Sequence, residues 1–144
     1  MRAIGPTLTN FGVIGAVADP TIELYNGSGA LFATNDNWKE INQTAIAGTG
    51  KAPPNDKESA ILGSLSPGSY TAIVRGKNNT TGVGLAEAYG IVPPGVENLI
   101  SNVSSRGFVG TGNDVMIGGF YRRPHTVVAN YCARSWSDAD AIWH

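Results

Sequence analysis

Nucleophilic or acid–base catalysis needs an imidazole or a carboxylate held beside a reactive group, and the chain has only two histidines, His125 and His144. Both lie in its last twenty residues. The serines nearest to chemistry, Ser28, Ser64, Ser66 and Ser69, sit in turn or strand contexts, and no G-x-S-x-G elbow is present. A Ser–His–acid site would therefore depend on His125 or His144. The plainer reading makes these serines turn residues and the imidazole a solvated side chain. Paired-carboxylate hydrolysis would draw on Glu23, Asp36, Glu58 or Glu87, yet no spacing singles out a pair. Glu87 shares a strand face with Val83, Leu85 and Tyr89, so a core-facing register would bury it. A surface-facing register, or a salt bridge to Arg75 on the adjacent strand, accounts for it more simply. His125 and Glu87 are the candidates for catalysis.

Two histidines nineteen residues apart with the single Cys132 make no zinc spacing. Calcium prefers carboxylate and carbonyl oxygens, which Asn35, Asp36 and Asn37 offer, with Asp56 and Glu58 able to approach in space. Against a calcium site stands the use of Asp36 and the asparagines as helix and turn caps, and the full calcium loop pattern is absent. Polysaccharide contact commonly uses exposed aromatic rings. Trp38 and Tyr25 are the candidate platforms, with Tyr70 and Tyr89 as further aromatics. Asn78 and Asn79, in the polar loop from Lys77 to Thr81, are candidate hydrogen-bonding partners.

The elements that must position these groups are short and punctuated by turns. Nineteen glycines and eight prolines accompany a 42% hydrophobic content, which a disordered chain lacks. The 144 residues suit one domain. A formal net charge of −1 offers no basic field for nucleic acid. No apolar run approaches a membrane span. The opening residues, MRAIGPTL, lack the apolar core of a signal peptide, so an export signal would lie upstream in a longer parent.

Alternation of apolar and polar residues predicts an antiparallel all-β sandwich of eight or nine short strands with one short helix. Ser59 to Tyr89 reads as a three-strand meander: Ser59–Leu65, a Pro67-Gly68 type II turn, Tyr70–Arg75, a loop, and Val83–Tyr89. Tyr70, Ala72 and Val74 share one face of its middle strand. Asn26-Gly27 between Thr21–Tyr25 and Ala30–Thr34 predicts a hairpin. Pro6 to Phe11 suits a single helical turn. The spacing of Ile41, Ala45 and Ile46 predicts a helix over Lys39–Ala47, capped by Asp36 or Asn37 and stopped by Gly48. Short strands follow at Asn98–Val103, Arg106–Val109, Val115–Phe120 and Thr126–Ala129.

These segments contain R-A-I-G-P-T-L at Arg2–Leu8, A-D-P-T-I-E-L at Ala18–Leu24 and A-T-N-D-N-W at Ala33–Trp38. They continue with E-S-A-I at Glu58–Ile61, P-G-S-Y-T-A-I-V-R-G at Pro67–Gly76 and T-T-G-V-G-L-A-E-A-Y at Thr80–Tyr89, and a last motif ends at Phe120. In these motifs the chain resembles a tandem repeat domain of large exported bacterial proteins, over about residues 2 to 120. Its layout is more loosely similar to the bacterial pre-peptidase C-terminal domain, a jelly-roll-like sandwich appended to secreted hydrolases. The resemblance implies a repeat unit over residues 1–128 and an atypical tail over 129–144, altered or frame-shifted relative to the family pattern. It also implies a secreted or cell-surface setting and a non-catalytic role in spacing, adhesion or polysaccharide contact. Alternatives are a small hydrolase, esterase or glycosidase in type, using the tail or an oligomer interface, and a spacer stiffened by Ca2+. Unpaired edge strands predict self-association, with Val127-Val128 at the contact.

Overall fold

The computed structural model describes residues 1–92 and 102–122, and the backbone of 127–135. The described residues contain nine strands: β1 (Arg2–Ile4), β2 (Pro20–Asn26), β3 (Leu31–Asn35), β4 (Ser59–Ala60), β5 (Gly68–Gly76), β6 (Gly82–Ala88), β7 (Val103–Val109), β8 (Met116–Arg122) and β9 (Val127–Ser135). They also contain one helix, α1 (Gln43–Gly48), and 3₁₀ turns at Pro6–Phe11 and Lys77–Asn79. A four-stranded sheet runs in the order β4-β1-β6-β7 and a five-stranded sheet in the order β3-β2-β5-β8-β9. Every strand pairing is antiparallel. The two sheets form a β-sandwich, as the alternation predicts. No helix among the described residues is long and apolar enough to cross a membrane.

The register explains the core. Ile22 and Leu24 of β2 lie opposite Val74 and Ala72 of β5, which in turn lie opposite Met116 and Gly118 of β8. Their side chains share one face and meet Ala3 of β1, Ala86 of β6 and Val109 of β7 from the other sheet. Ile22, Ala72, Val74, Ala3 and Val109 are completely buried, each larger aliphatic chain contributing about 1.5–3 kcal/mol. Tyr70 closes one end, stacked on Phe120 with ring centroids 5.5 Å apart. Its hydroxyl donates to the Ser66 carbonyl.

Gly82 shows what the abundant glycines do. Its φ is +150°, and a Cβ there would lie 2.5 Å from the Gly15 carbonyl oxygen. That vacancy lets Gly15–Val17 run alongside β6, with a parallel bridge between Ala16 and Val83.

The Asn26-Gly27 hairpin forms as predicted, joining β2 to β3 with a bulge between Leu24 and Tyr25. The meander does not form. β4, β5 and β6 fall in the four-, five- and four-stranded sheets in turn, so the chain crosses the core twice. Alternation marks which face of a strand is buried, and it is blind to whether the next strand lies beside it or across from it. Of the predicted Ser59–Leu65 strand, Ser59 and Ala60 form the ladder with β1, and Ile61 exchanges two backbone hydrogen bonds with Met1 at its end.

The helix is shorter than its periodicity predicts. Asn42 stands at φ +58° and interrupts the chain before Gln43, and only Ile46 of α1 is buried. Neither Asp36 nor Asn37 caps it, and Gly48 is its last residue, not its stop. Ser104 and Ser105 do not separate two strands; both lie within β7, opposite Glu87 and Ala86. The predicted residues Asn98–Ser101 and Thr126 lie outside the described residues. β9 continues past Val128 to Ser135.

Candidate functional site

Two clusters of the same composition lie on the outer faces of the two sheets. On the four-stranded sheet, Arg2 of β1 stands directly opposite Glu87 of β6. Its Nε donates to Glu87 Oε2 at 2.6 Å. One terminal nitrogen donates to the Tyr89 hydroxyl at 3.0 Å, and the other to the Lys51 and Ala52 carbonyls. The Tyr89 hydroxyl donates in turn to Glu87 Oε1 at 3.0 Å. Burial, and then the Glu87 charge, hold the Tyr89 hydroxyl above its ordinary pKa. Both oxygens of the Glu87 carboxylate are thus engaged, and the residue is buried although its strand face points away from the core.

On the five-stranded sheet the set is Arg75, Glu23 and Tyr25. Arg75 Nε lies 3.5 Å from Glu23 Oε2, the same oxygen that accepts from the Tyr25 hydroxyl at 3.0 Å. The hydrogen bond to Glu23 is the first cause raising the Tyr25 pKa. Arg75 also donates to the Gly112 carbonyl at 2.9 Å. The predicted Glu87–Arg75 bridge is therefore replaced by Glu87–Arg2, because Arg75 belongs to the other sheet.

Glu58 is completely buried and has a different set of partners. Its carboxylate accepts from the backbone of Gly5 (3.0 Å), Thr7 (2.9 Å) and Asn55 (3.2 Å) and from the Thr7 hydroxyl (2.9 Å). No cation is paired with it among the described residues. Four donors do that work, fastening the Pro6–Phe11 turn to the start of β4. By residue type alone Glu58 is a candidate acid or calcium ligand. The pairing of E-S-A-I with R-A-I-G-P-T was the available signal, since both segments converge on this one carboxylate.

The residues proposed for calcium are each engaged by other groups of the chain. Asn35, buried at the end of β3, accepts from the Ala60 N–H at 2.8 Å and donates to the Asn37 carbonyl, so it ties the two sheets together. Asn37 donates to Glu40. Asp36 pairs with the Lys77 ammonium, a bond that leads the causes raising the Lys77 pKa. The charges of Asp19 and Glu40 act on the same ammonium, so lysine supplies the positive charge of this acidic corner. Asp56 pairs with Lys39 at 2.6 Å. Among the described residues no three acidic, imidazole or thiol groups gather as a metal would need.

The residues proposed for polysaccharide are not brought together. Trp38 is 8% exposed and packs with Ile46 and Ala60, so its ring is core and not a platform. Tyr25 is half-buried on the outer face of β2, opposite Thr71. Asn78 and Asn79 are exposed, both at positive φ, in the loop that follows Gly76. Six residues of extended β5 between Thr71 and Lys77 set the two groups about 20 Å apart. A residue absent from the sequence reading stands nearer: exposed Tyr121 of β8 lies opposite Ser69, two positions along β5 from the partner of Tyr25. His125 and the last nine residues lie outside the described residues.

At the end of the sandwich where β1 and β7 begin and β8 ends, the sheets part around a cavity of about 300 Å3. Leu24, Ile61, Leu62, Val103 and Phe120 wall it, and Arg2, Lys51, Tyr89 and Arg122 line it as well.

Together these features define an antiparallel β-sandwich braced by buried and half-buried charged clusters. No family model matches the chain, and neither a curated protein nor a solved structure gives a significant match.

Proposed function

We propose that the chain is a non-catalytic β-sandwich module of a secreted or surface bacterial protein, acting as a spacer that contacts polysaccharide. The observation that carries this reading is that its acidic side chains are engaged within the molecule. Glu58, Glu87, Asp36 and Glu23 each bind a partner on another segment, tying strand to strand or joining loops to one another and to strands. Such bracing suits a unit that transmits force or holds distance. The secreted setting rests on the resemblance of the R-A-I-G-P and P-G-S-Y-T-A-I-V-R-G motifs to exported repeat domains.

For polysaccharide contact the supporting feature is the outer face of β2, β5 and β8. There Tyr25 and Tyr121 flank Thr71 and Gly119, which lie opposite one another in register. A glycine between two phenolic rings leaves a shallow bed for a sugar chain, with Thr71 as a hydrogen-bonding side chain. Sedimentation with a panel of insoluble polysaccharides tests the reading. Retention on at least one, lost in Tyr25→Ala and Tyr121→Ala variants of unchanged melting temperature, is the expected result. Absence of retention on every polymer would overturn polysaccharide contact. Self-association through β9, an edge strand that includes Val127 and Val128, belongs to the same proposal. A sedimentation coefficient that stays monomeric at high concentration would remove it.

A further inference from the structure

The cavity between the sheets has an unusual balance of groups. Its walls are mainly aliphatic and aromatic, from Leu62 beside β4 to Val103 of β7 and Phe120 of β8. Its ionisable side chains are Arg2, Lys51, Tyr89 and Arg122, and no carboxylate is among the described lining residues. Arg2 is neutralised by Glu87, and the Lys51 ammonium lies 5.0 Å from the centre of the Tyr89 ring. Arg122, half-buried at the end of β8, has no ion-pair partner among the described residues. An apolar chamber whose lining holds a guanidinium with no counter-charge among the described residues is complementary to a molecule that is apolar over most of its length and anionic at one end.

We propose that this cavity binds an amphipathic carboxylate, a medium-chain acyl acid, with its chain against Leu62, Val103 and Phe120 and its carboxylate on Arg122. Lys51 adds a second positive charge to the lining and attracts the head group without having to contact it. A volume of about 300 Å3 is at the lower end of what small-molecule sites occupy, so a single unbranched chain fits and a sterol-sized body does not. This inference is independent of polysaccharide contact, which uses the outer face of the five-stranded sheet.

The test is calorimetric titration of the 144-residue chain with decanoate, decanol and acetate, all below micellar concentration. Decanoate should saturate at one site per chain, with decanol about tenfold weaker and acetate undetectable, because head and tail are both needed. Arg122→Gln should weaken decanoate about tenfold and leave decanol unchanged. Methyl resonances of Leu62 and Val103 should shift with decanoate in both the parent chain and the variant at higher concentration. Failure of decanoate to saturate, equal affinity for decanol, or an unchanged decanoate affinity in Arg122→Gln would each overturn the proposal.

Discussion

The sandwich contains the same three side-chain types twice, once on each outer face, and they behave differently. Arg2, Glu87 and Tyr89 sit with the arginine and glutamate side chains 20% and 8% exposed, joined at 2.6 Å. Arg75, Glu23 and Tyr25 sit with the corresponding side chains 40% and 28% exposed, at 3.5 Å. In both, the tyrosine follows the glutamate by two residues and so shares its strand face. Register accounts for part of the difference. Arg2 is the direct partner of Glu87, whereas Arg75 lies opposite Thr21 and reaches Glu23 diagonally. Surroundings account for the rest, since Arg2 also bonds two carbonyls of the loop that precedes β4. Identical chemistry thus becomes a brace where direct register and two loop carbonyls bury it, and a more solvated contact where the pair is diagonal and a single loop carbonyl, that of Gly112, reaches the arginine.

The largest effect should come from Glu58, which serves the covered side alone. Glu58→Ala strands the N–H groups of Gly5, Thr7 and Asn55 and should cost more than about 4 kcal/mol in urea unfolding. A loss below 1 kcal/mol, read the same way, would mean water reaches these groups freely. Next, Arg2→Ala leaves the buried Glu87 carboxylate without its cation and should cost about 3 kcal/mol.

A pH dependence should belong to the covered side as well. The amino group of Met1, which donates to the Ile61 carbonyl at 2.7 Å, has its pKa lowered by burial from 8.0 to about 6. Between those values the unfolded chain binds more protons than the folded one, so stability should rise as pH increases through that window. The gain should be on the order of 2 kcal/mol. Acetylating the amine should flatten this part of the profile while leaving any contribution of the two histidines in place, and urea midpoints across the window read it. An identical slope in the acetylated chain would refute the assignment. The smallest effect is expected on the bare face, where Arg75→Ala should cost no more than about 1 kcal/mol and less at high salt.

Legibility followed the same division between local and long-range. The β2–β3 hairpin was readable because Asn26-Gly27 specifies its own turn, and the inward face of β5 because alternation needs no partner. The crossing of β4, β5 and β6 between sheets was not readable, since nothing within a strand names its neighbour. For Glu87 the simpler expectation, an outward-facing register with a salt bridge, holds for the face, yet the cation is Arg2, 85 residues away in sequence and beyond any local pattern. Trp38 looked like a platform because a tryptophan after a polar run gives no sign of what covers it. Its cover comes from Ile46 of α1 and Ala60 of β4. Asp36 offers carboxylate oxygens, as its type implies, but the lysine that pairs with one of them follows β5 in the five-stranded sheet.

The most direct test is a pair of double-mutant cycles, Arg2→Ala with Glu87→Ala and Arg75→Ala with Glu23→Ala, measured by urea unfolding under one set of conditions. The account predicts a coupling of about 2 kcal/mol or more for Arg2 and Glu87, and no more than about 0.5 kcal/mol for Arg75 and Glu23. Equal couplings, or the larger one on the bare face, would contradict it.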